Sequence, residues 1–423
     1  QDIKNYIKSN KKKITINNLK NYIIINNNKK DTLLFGIFYK KNKKHIGNIK
    51  FDDINVNENR VTMGVLIGDK NYRGIGVFSE TIEYFSNYFY INYKITNILL
   101  GVDKKNKDAI RAYCNSNFKK INIFYKKKQA NTIYMVKKYN FLNKIIIGTA
   151  QFDKNYGIIR KNKINKNFEK KIIETSLVNK INYFDTSNSY SKYKNLFEKN
   201  KNQEIIFKIL LKKNIYDYEK YIEELIKKYK ILFKVNKFYA ILIHNFEQLS
   251  EKERGLVFKV LKKIKRKNMA KKIGISIYSF KDLLNHVKKY KIEILQCPFS
   301  VFDRRLIDNS TALKLKEMNV EIHVRSIFLQ GILLNNSINN YFMKWKKFFI
   351  RYNNWILRKK INKLQSSIYF ILNNNFVDKL VIGVDNFHQV KDLQKILNNY
   401  KYIKYPKFLQ TNDLKLINPV NWK

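Results

Sequence analysis

From Lys144 to Val384 the chain alternates two kinds of segment, and this alternation limits its fold more than any other feature. Eight short runs of β-branched and aliphatic residues recur: KIIIGTA (144–150), INYFD (181–185), EIIFKIL (204–210), FYAILI (238–243), KIGIS (272–276), EILQC (293–297), VEIHVRS (320–326) and DKLVIGV (378–384). Between most of them lie longer stretches with apolar residues three and four apart, such as YEKYIEELIKKYKILF (218–233) and SFKDLLNHVKKY (279–290). A short continuous apolar run suits a strand buried on both faces, whereas the longer spacing puts apolar side chains on one face of a helix. A helix between two strands carries the chain back to the starting edge, so the strands run parallel. Eight such units predict an α/β chain with a closed (β/α)8 TIM barrel over residues 141–423. An open doubly wound sheet would carry a glycine-rich dinucleotide turn after its first strand, and this sequence has none there. Residues 335–362 (NNSINNYFMKWKKFFIRYNNWILRKKIN) are extra length between strands seven and eight, expected to be helical and to cover part of the barrel mouth.

Residues 1–140 follow another pattern. LLFGIFYK (33–40), HIGNIKF (45–51) and RVTMGVLIG (60–68) read as strands joined by polar turns. NYRGIGVFSETIEYFSNYFY (71–90) is a glycine turn opening a helix, followed by a strand TNILLGVD (96–103) and a helix KNKDAIRAYCNSN (105–117) ending on Asn117. Two closing strands, FKKINIFYK and NTIYMVKKY, complete an α+β domain, and the boundary is expected near Asn140 to Asn143. The chain opens on Gln1 rather than Met, so the first element of this domain is expected to be missing.

The charge is extreme: 85 Lys+Arg against 33 Asp+Glu, a formal +52. A nucleic-acid or membrane-surface role would need Lys and Arg but not the accompanying excess of Asn and Ile. Lysines are also spread along the chain rather than gathered in an arm, which reads as compositional drift and predicts neither nucleic-acid nor membrane partners. The surface would still attract phosphorylated small molecules. The two cysteines, Cys114 and Cys297, lie in different regions with no disulfide or metal-ligand spacing, which fits a reducing cytoplasm. The longest apolar runs, such as Ile145 to Ile147, fall far short of a membrane span.

The barrel pattern puts several ionisable residues at strand ends, where such barrels keep their chemistry. Asp185 ends strand two, Tyr190 follows it in FDTSNSY, Lys208 lies inside strand three, and His244 ends strand four in LIHNF. A lysine inside an apolar strand is costly unless it faces the barrel mouth and is paired. Carbonyl reduction needs a proton donor to the developing alkoxide. A tyrosine can serve if a lysine ammonium lowers its pKa from near 10, a carboxylate holds the lysine, and a histidine orients the carbonyl. Tyr190, Lys208, Asp185 and His244 suit those roles.

IIIGTAQFDKNYGI, NYFDTSNSYSKYKNLFEK, IIFKILLKK, AILIHNF, KKIGISIYSF, LQCPFSVFDRR, HVRSIFLQGILL and VIGVDNFHQVKDL together resemble the successive strand motifs of the aldo-keto reductase family over about residues 143–400. The resemblance implies NADP or NAD bound without a doubly wound domain, with Asp185, Tyr190, Lys208 and His244 as the catalytic set. It places Ser276 and Gln296 on the nicotinamide carboxamide, and Gly383, Asp385, Asn386 and Gln389 in the loop meeting the adenosine phosphate. The sequence departs from the family pattern at Ile277, where Asn is common, and at Arg325-Ser326, where an aromatic residue often stacks on the nicotinamide. Arg325 is still expected to be a cofactor-binding position. The strand-eight loop has no obvious arginine for a 2′-phosphate. HVRSIFLQGILL resembles a bacterial subgroup associated with surface-sugar biosynthesis.

In the first domain, backbone amides of YRGIGVF (72–78) at a helix N-terminus could cradle an anion. With NKDAIRAYCNSNFKKI, this region resembles the GNAT-type acyl-CoA N-acyltransferases over about residues 10–138. The resemblance implies coenzyme A pyrophosphate at Arg73, Gly74 and Gly76, the pantetheine arm near Asn106, and Tyr113 as the acid that protonates the departing thiolate. Phe78 stands where the motif ends in a small residue, and Glu58 is a candidate general base. The resulting expectation is a bifunctional enzyme, an NAD(P)-dependent oxidoreductase plus an acetyl-CoA-dependent N-acetyltransferase, working on an amino sugar or nucleotide sugar of surface polysaccharide biosynthesis. The alternative is an active barrel behind a non-catalytic docking domain.

Overall fold

The structure is a computed structural model, and it describes residues 15–122, 130–152, 166–190, 196–198, 202–212, 215–335, 337 and 339–422. The chain divides into two compact units, Gln1–Asn140 and Phe141–Lys423.

The first unit contains α1 (Ile16–Asn27), β1 (Leu33–Phe38), β2 (His45–Asn55), β3 (Arg60–Ile67), α2 (Val77–Tyr93), β4 (Asn97–Asp103), α3 (Lys107–Asn115), β5 (Lys119–Ile121) and β6 (Thr132–Lys138). The segment 123–126, expected to continue the fifth strand, lies outside the described residues. The six strands form one sheet in the order β1-β2-β3-β4-β6-β5. All neighbours are antiparallel except β3 and β4, which pair in parallel only over Arg60–Thr62 and Asn97–Leu99. Helix α2 buries Ile82, Phe85 and Phe89 against Phe51 and Met63 of the sheet, because residues three, four and seven apart share a helix face. Asn117 adopts the left-handed conformation (φ 66°) after α3, which Asn tolerates better than most residues.

The second unit contains β7 (Ile145–Gly148), α4 (Lys166–Val178), β8 (Tyr183–Ser187), β9 (Glu204–Ile209), α5 (Tyr218–Leu232), β10 (Phe238–Ile243), α6 (Glu251–Arg266), β11 (Ala270–Ser276), α7 (Leu283–Tyr290), β12 (Ile294–Pro298), α8 (Thr311–Glu317), β13 (Glu321–Arg325), α9 (Lys346–Lys359), α10 (Lys363–Leu372), β14 (Lys379–Gly383) and α11 (Phe387–Asn398). The eight strands close in the order β10-β11-β12-β13-β14-β7-β8-β9. Parallel pairing of Leu380–Gly383 with Ile145–Gly148 joins the last strand to the first. An open sheet is thereby ruled out. Ile146, Ile206, Ala240, Leu242 and Ile294 form a buried apolar cluster among the strands. Gly274 has no room for a side chain, since a Cβ there would stand 2.0 Å from the Ile294 carbonyl oxygen on the adjacent strand.

The extra length between β13 and β14 is helical as expected: a 3-10 segment Asn340–Trp345 runs into α9. A capping box of Asn362 and Gln365 then starts α10. The N-terminal ends of the strands hold a second polar group, in which the Tyr239 hydroxyl donates to Glu321 (2.8 Å) and His323 bonds the same carboxylate (2.7 Å).

Candidate active site

Asp185 and Ser187 alternate with buried Phe184 and Thr186 along β8, so both point the same way. Lys208 on β9 lies in register with Ser187 on one side and Leu242 on the other. Its Nζ donates to Asp185 Oδ1 at 2.7 Å, with the two side chains only 5% and 3% exposed. The strand end of β8 is pinned by the Thr149 hydroxyl, which donates to the Asp185 carbonyl at 2.9 Å. This is how the apolar strand tolerates its lysine: the charge is paired in a rigid, buried setting.

Gln296, fully buried on β12, reaches the same pair. Its Oε1 accepts from Lys208 Nζ (3.3 Å) and its Nε2 donates to Asp185 Oδ2 (2.8 Å). The family resemblance implies a cofactor carboxamide at Gln296; in the structure its amide bridges the ion pair. Ser276 lies in register with Gln296, is buried, and its hydroxyl has no hydrogen-bond partner among the described residues.

Tyr190 follows the end of β8, and Lys208 Nζ lies 5.6 Å from its ring centroid. The His244 ring meets the Tyr190 ring edge-on, with centroids 6.4 Å apart. Burial, reinforced by the Lys208 and Arg325 cations, pushes the His244 pKa down to about 2, so its imidazole is neutral at working pH. Its Nδ1 lies 3.4 Å from Ser187 Oγ, which in turn contacts Ser189 Oγ at 2.8 Å. Sequence reasoning passed over Ser187, although its two-residue spacing from Asp185 on a strand was a signal that it shares that face.

Asp185, Lys208 and Tyr190 border a pocket of about 430 Å³ whose walls also include Gln151, Arg325, Ser326 and Asp385. Arg325 ends β13, donates to the Ile277 carbonyl (2.9 Å) and lies over the Tyr278 ring (3.8 Å). Gln151, also missed in the sequence, lies across Gly383: a Cβ on that glycine would stand 1.4 Å from the Gln151 Oε1. Beyond Gly383 the expected loop residues do structural work. The Asn386 side chain caps α11 by accepting from Gln389 N (3.1 Å), and the Gln389 side chain accepts from Asp385 N (2.7 Å). Asp385 and Gln389 nevertheless line the pocket. Among the described residues no group of three or more His, Cys, Asp or Glu side chains could hold a metal ion. The orphaned Ser276 hydroxyl and the long pocket running to the turn after β14 fit a nicotinamide dinucleotide.

The candidate residues of the first unit gather around α2 and α3. Gly74 (φ 76°) and Gly76 (φ 90°) form the turn before α2, where residues with a Cβ are disfavoured, and α2 has no side-chain cap. Arg73 turns back on the chain and donates to the carbonyls of Ile67 and Gly68, both at 3.0 Å. Asn106 caps α3 by accepting from Ala109 N (3.1 Å). Tyr113 packs edge-on to Phe78 (5.2 Å), and burial pushes its hydroxyl up to about 12. Glu58 is paired with Arg60 (2.5 Å).

Residues 144–405 match the sequence profile described as the Aldo/keto reductase family. No curated protein matches the chain. Among solved structures, the chain is similar to a glycerol dehydrogenase from Gluconobacter oxydans, with 15% identity over 62% of this chain and 94% of that one, at a TM-score of 0.48. The holo form of an aldo-keto reductase from Bacillus halodurans matches 62% of this chain and 88% of its own, with 14% identity and a TM-score of 0.48.

Proposed function

The chain belongs to the aldo/keto reductase family of oxidoreductases, and on that premise we propose that its barrel interconverts a carbonyl and an alcohol with NADP or NAD, through Tyr190, Lys208, Asp185 and His244. The observation that carries this reading is the buried Asp185–Lys208 pair beside Tyr190, with a neutral His244 edge-on to the Tyr190 ring. The bound nicotinamide supplies the hydride. Ser276 would hold its carboxamide, while Arg325, Ser326 and the turn from Gly383 through Asp385, Asn386 and Gln389 would line the dinucleotide.

The protein's own groups manage the proton. Tyr190 donates its hydroxyl proton to the carbonyl oxygen as negative charge develops there. The Lys208 ammonium stabilises the phenolate left behind, and Asp185 keeps that ammonium in place. His244, being neutral, can donate one ring N–H to the same carbonyl oxygen without adding a charge that would oppose Lys208. Ser187 beside Nδ1 influences which ring nitrogen carries that hydrogen.

A fluorescence titration with reduced nicotinamide dinucleotides tests the reading. Micromolar binding with turnover of an activated aldehyde is the expected result. Tyr190→Phe should abolish turnover and leave binding nearly intact, because the hydroxyl acts in proton transfer. Absence of binding to either dinucleotide would overturn the assignment.

The first unit supports a second reading, an acetyl-CoA-dependent N-acetyltransferase. The short β3–β4 pairing, the left-handed Gly74–Gly76 turn and the uncapped N-terminus of α2 favour it, since exposed helix amides attract a pyrophosphate. A sugar or nucleotide-sugar substrate and a cytoplasmic location rest on the sequence resemblance and the two unpaired cysteines. Coenzyme A should raise the melting temperature if the unit binds it. No shift at millimolar ligand would leave this unit as a docking module.

A further inference from the structure

We propose that Gln296 is a positioning residue for proton transfer: its carboxamide closes a buried triangle with Asp185 and Lys208 and so aims the Lys208 ammonium at Tyr190. The inference rests on the oxidoreductase reading above. In the barrel order, β12 stands across the lumen from β8, with β13, β14 and β7 on one side and β11, β10 and β9 on the other. Gln296 therefore bridges opposite walls, and the three side chains that meet there are all nearly inaccessible to water.

The geometry needs an amide. A lysine ammonium is a compact charge on a flexible four-carbon stem, and one carboxylate contact leaves it free to pivot. The second acceptor, Gln296 Oε1 at 3.3 Å, comes from the other wall and fixes the direction of a second N–H. The third N–H is left for the side where Tyr190 lies, 5.6 Å from Nζ to ring centroid. The Nε2 of the same amide donates to Asp185 Oδ2 at 2.8 Å, so the carboxylate is fixed at both oxygens. The amide presents an acceptor to the cation and a donor to the anion at once; a carboxylate there could not donate, and a thioether offers no donor and only a weak acceptor. One N–H and one lone pair of Gln296 remain for a cofactor carboxamide beside Ser276, so positioning Lys208 and touching the cofactor are compatible.

The test compares wild type with Gln296→Met and Gln296→Glu, with thermal melts to show that each is folded. Reduced-dinucleotide Kd is read by fluorescence, and kcat and KM are read against pH with 4-nitrobenzaldehyde. Gln296→Met should lower kcat about 10- to 100-fold, a larger factor than any accompanying rise in Kd. The alkaline limb of the kcat profile should move to higher pH, because a misdirected ammonium stabilises the phenolate less. Gln296→Glu should move that limb the same way through its added negative charge, so one folded variant suffices. An unmoved limb, with Kd raised tenfold or more, would make Gln296 a cofactor ligand only and overturn the proposal. A wild type that binds neither dinucleotide would instead overturn the oxidoreductase reading, which separates the two failures.

Discussion

His244 makes the site's electrostatics measurable through stability. In the folded protein its pKa falls from 6.5 to about 2, first through burial and then through the Lys208 and Arg325 cations. In the unfolded chain the same imidazole takes up a proton near its ordinary value. A pKa depressed in the folded state means full stability above about pH 6.5, lost progressively as the pH falls toward about 2, because the unfolded state binds the extra proton. Well below the unfolded pKa each pH unit costs about 1.36 kcal/mol, and the slope is half that at pH 6.5 itself, so the step from roughly pH 6.5 to pH 4.5 removes about 2 kcal/mol through His244 alone. Urea unfolding of wild type and His244→Asn at several pH values isolates the contribution, since carboxylates titrate in both proteins and cancel in the difference. Wild type should lose about 2 kcal/mol more than the variant over that interval. A difference that stays flat would mean that folded His244 accepts a proton there, and the neutral donor assigned to it would be refuted.

Other outcomes follow from the same geometry. Lys208→Met strands the buried Asp185 carboxylate and should cost about 3–5 kcal/mol in chemical unfolding, with turnover nearly abolished; a loss under about 1 kcal/mol would show that the pair is hydrated. Gly383→Ala drives a Cβ onto the end of the Gln151 side chain, which can swing aside, so stability should fall by only about 1 kcal/mol while dinucleotide Kd rises. Adding Gln151→Ala should restore the affinity, and an unchanged Kd in the single variant would place Gly383 away from the cofactor.

The sequence carried much of this organisation because the signals are local. Strand and helix periods repeat within a few residues, and eight β-type runs with helical spacers call for parallel strands covered on both faces, an arrangement that the missing glycine-rich turn tipped toward a closed barrel. Asp185, Lys208 and His244 stood out for a related reason. A charged or ionisable group in or at the end of an apolar strand is expensive, and a barrel makes it useful at one end only. The helix cap at Asn106 was equally local, and its side chain accepts from Ala109 N at the start of α3.

What the sequence could not determine is which distant side chains meet. Gln296 touches Asp185, 111 positions away, only because the barrel closes and sets β12 opposite β8. Gln151 covers Gly383 because the first strand pairs with the last. The depressed pKa of His244 depends on burial and on two cations from β9 and β13, neither near it in the chain. Strand and helix formation follow from local periodicity, which any short window reveals, whereas the site's bonds and charges depend on separations of a few ångströms that only closure of the whole barrel sets.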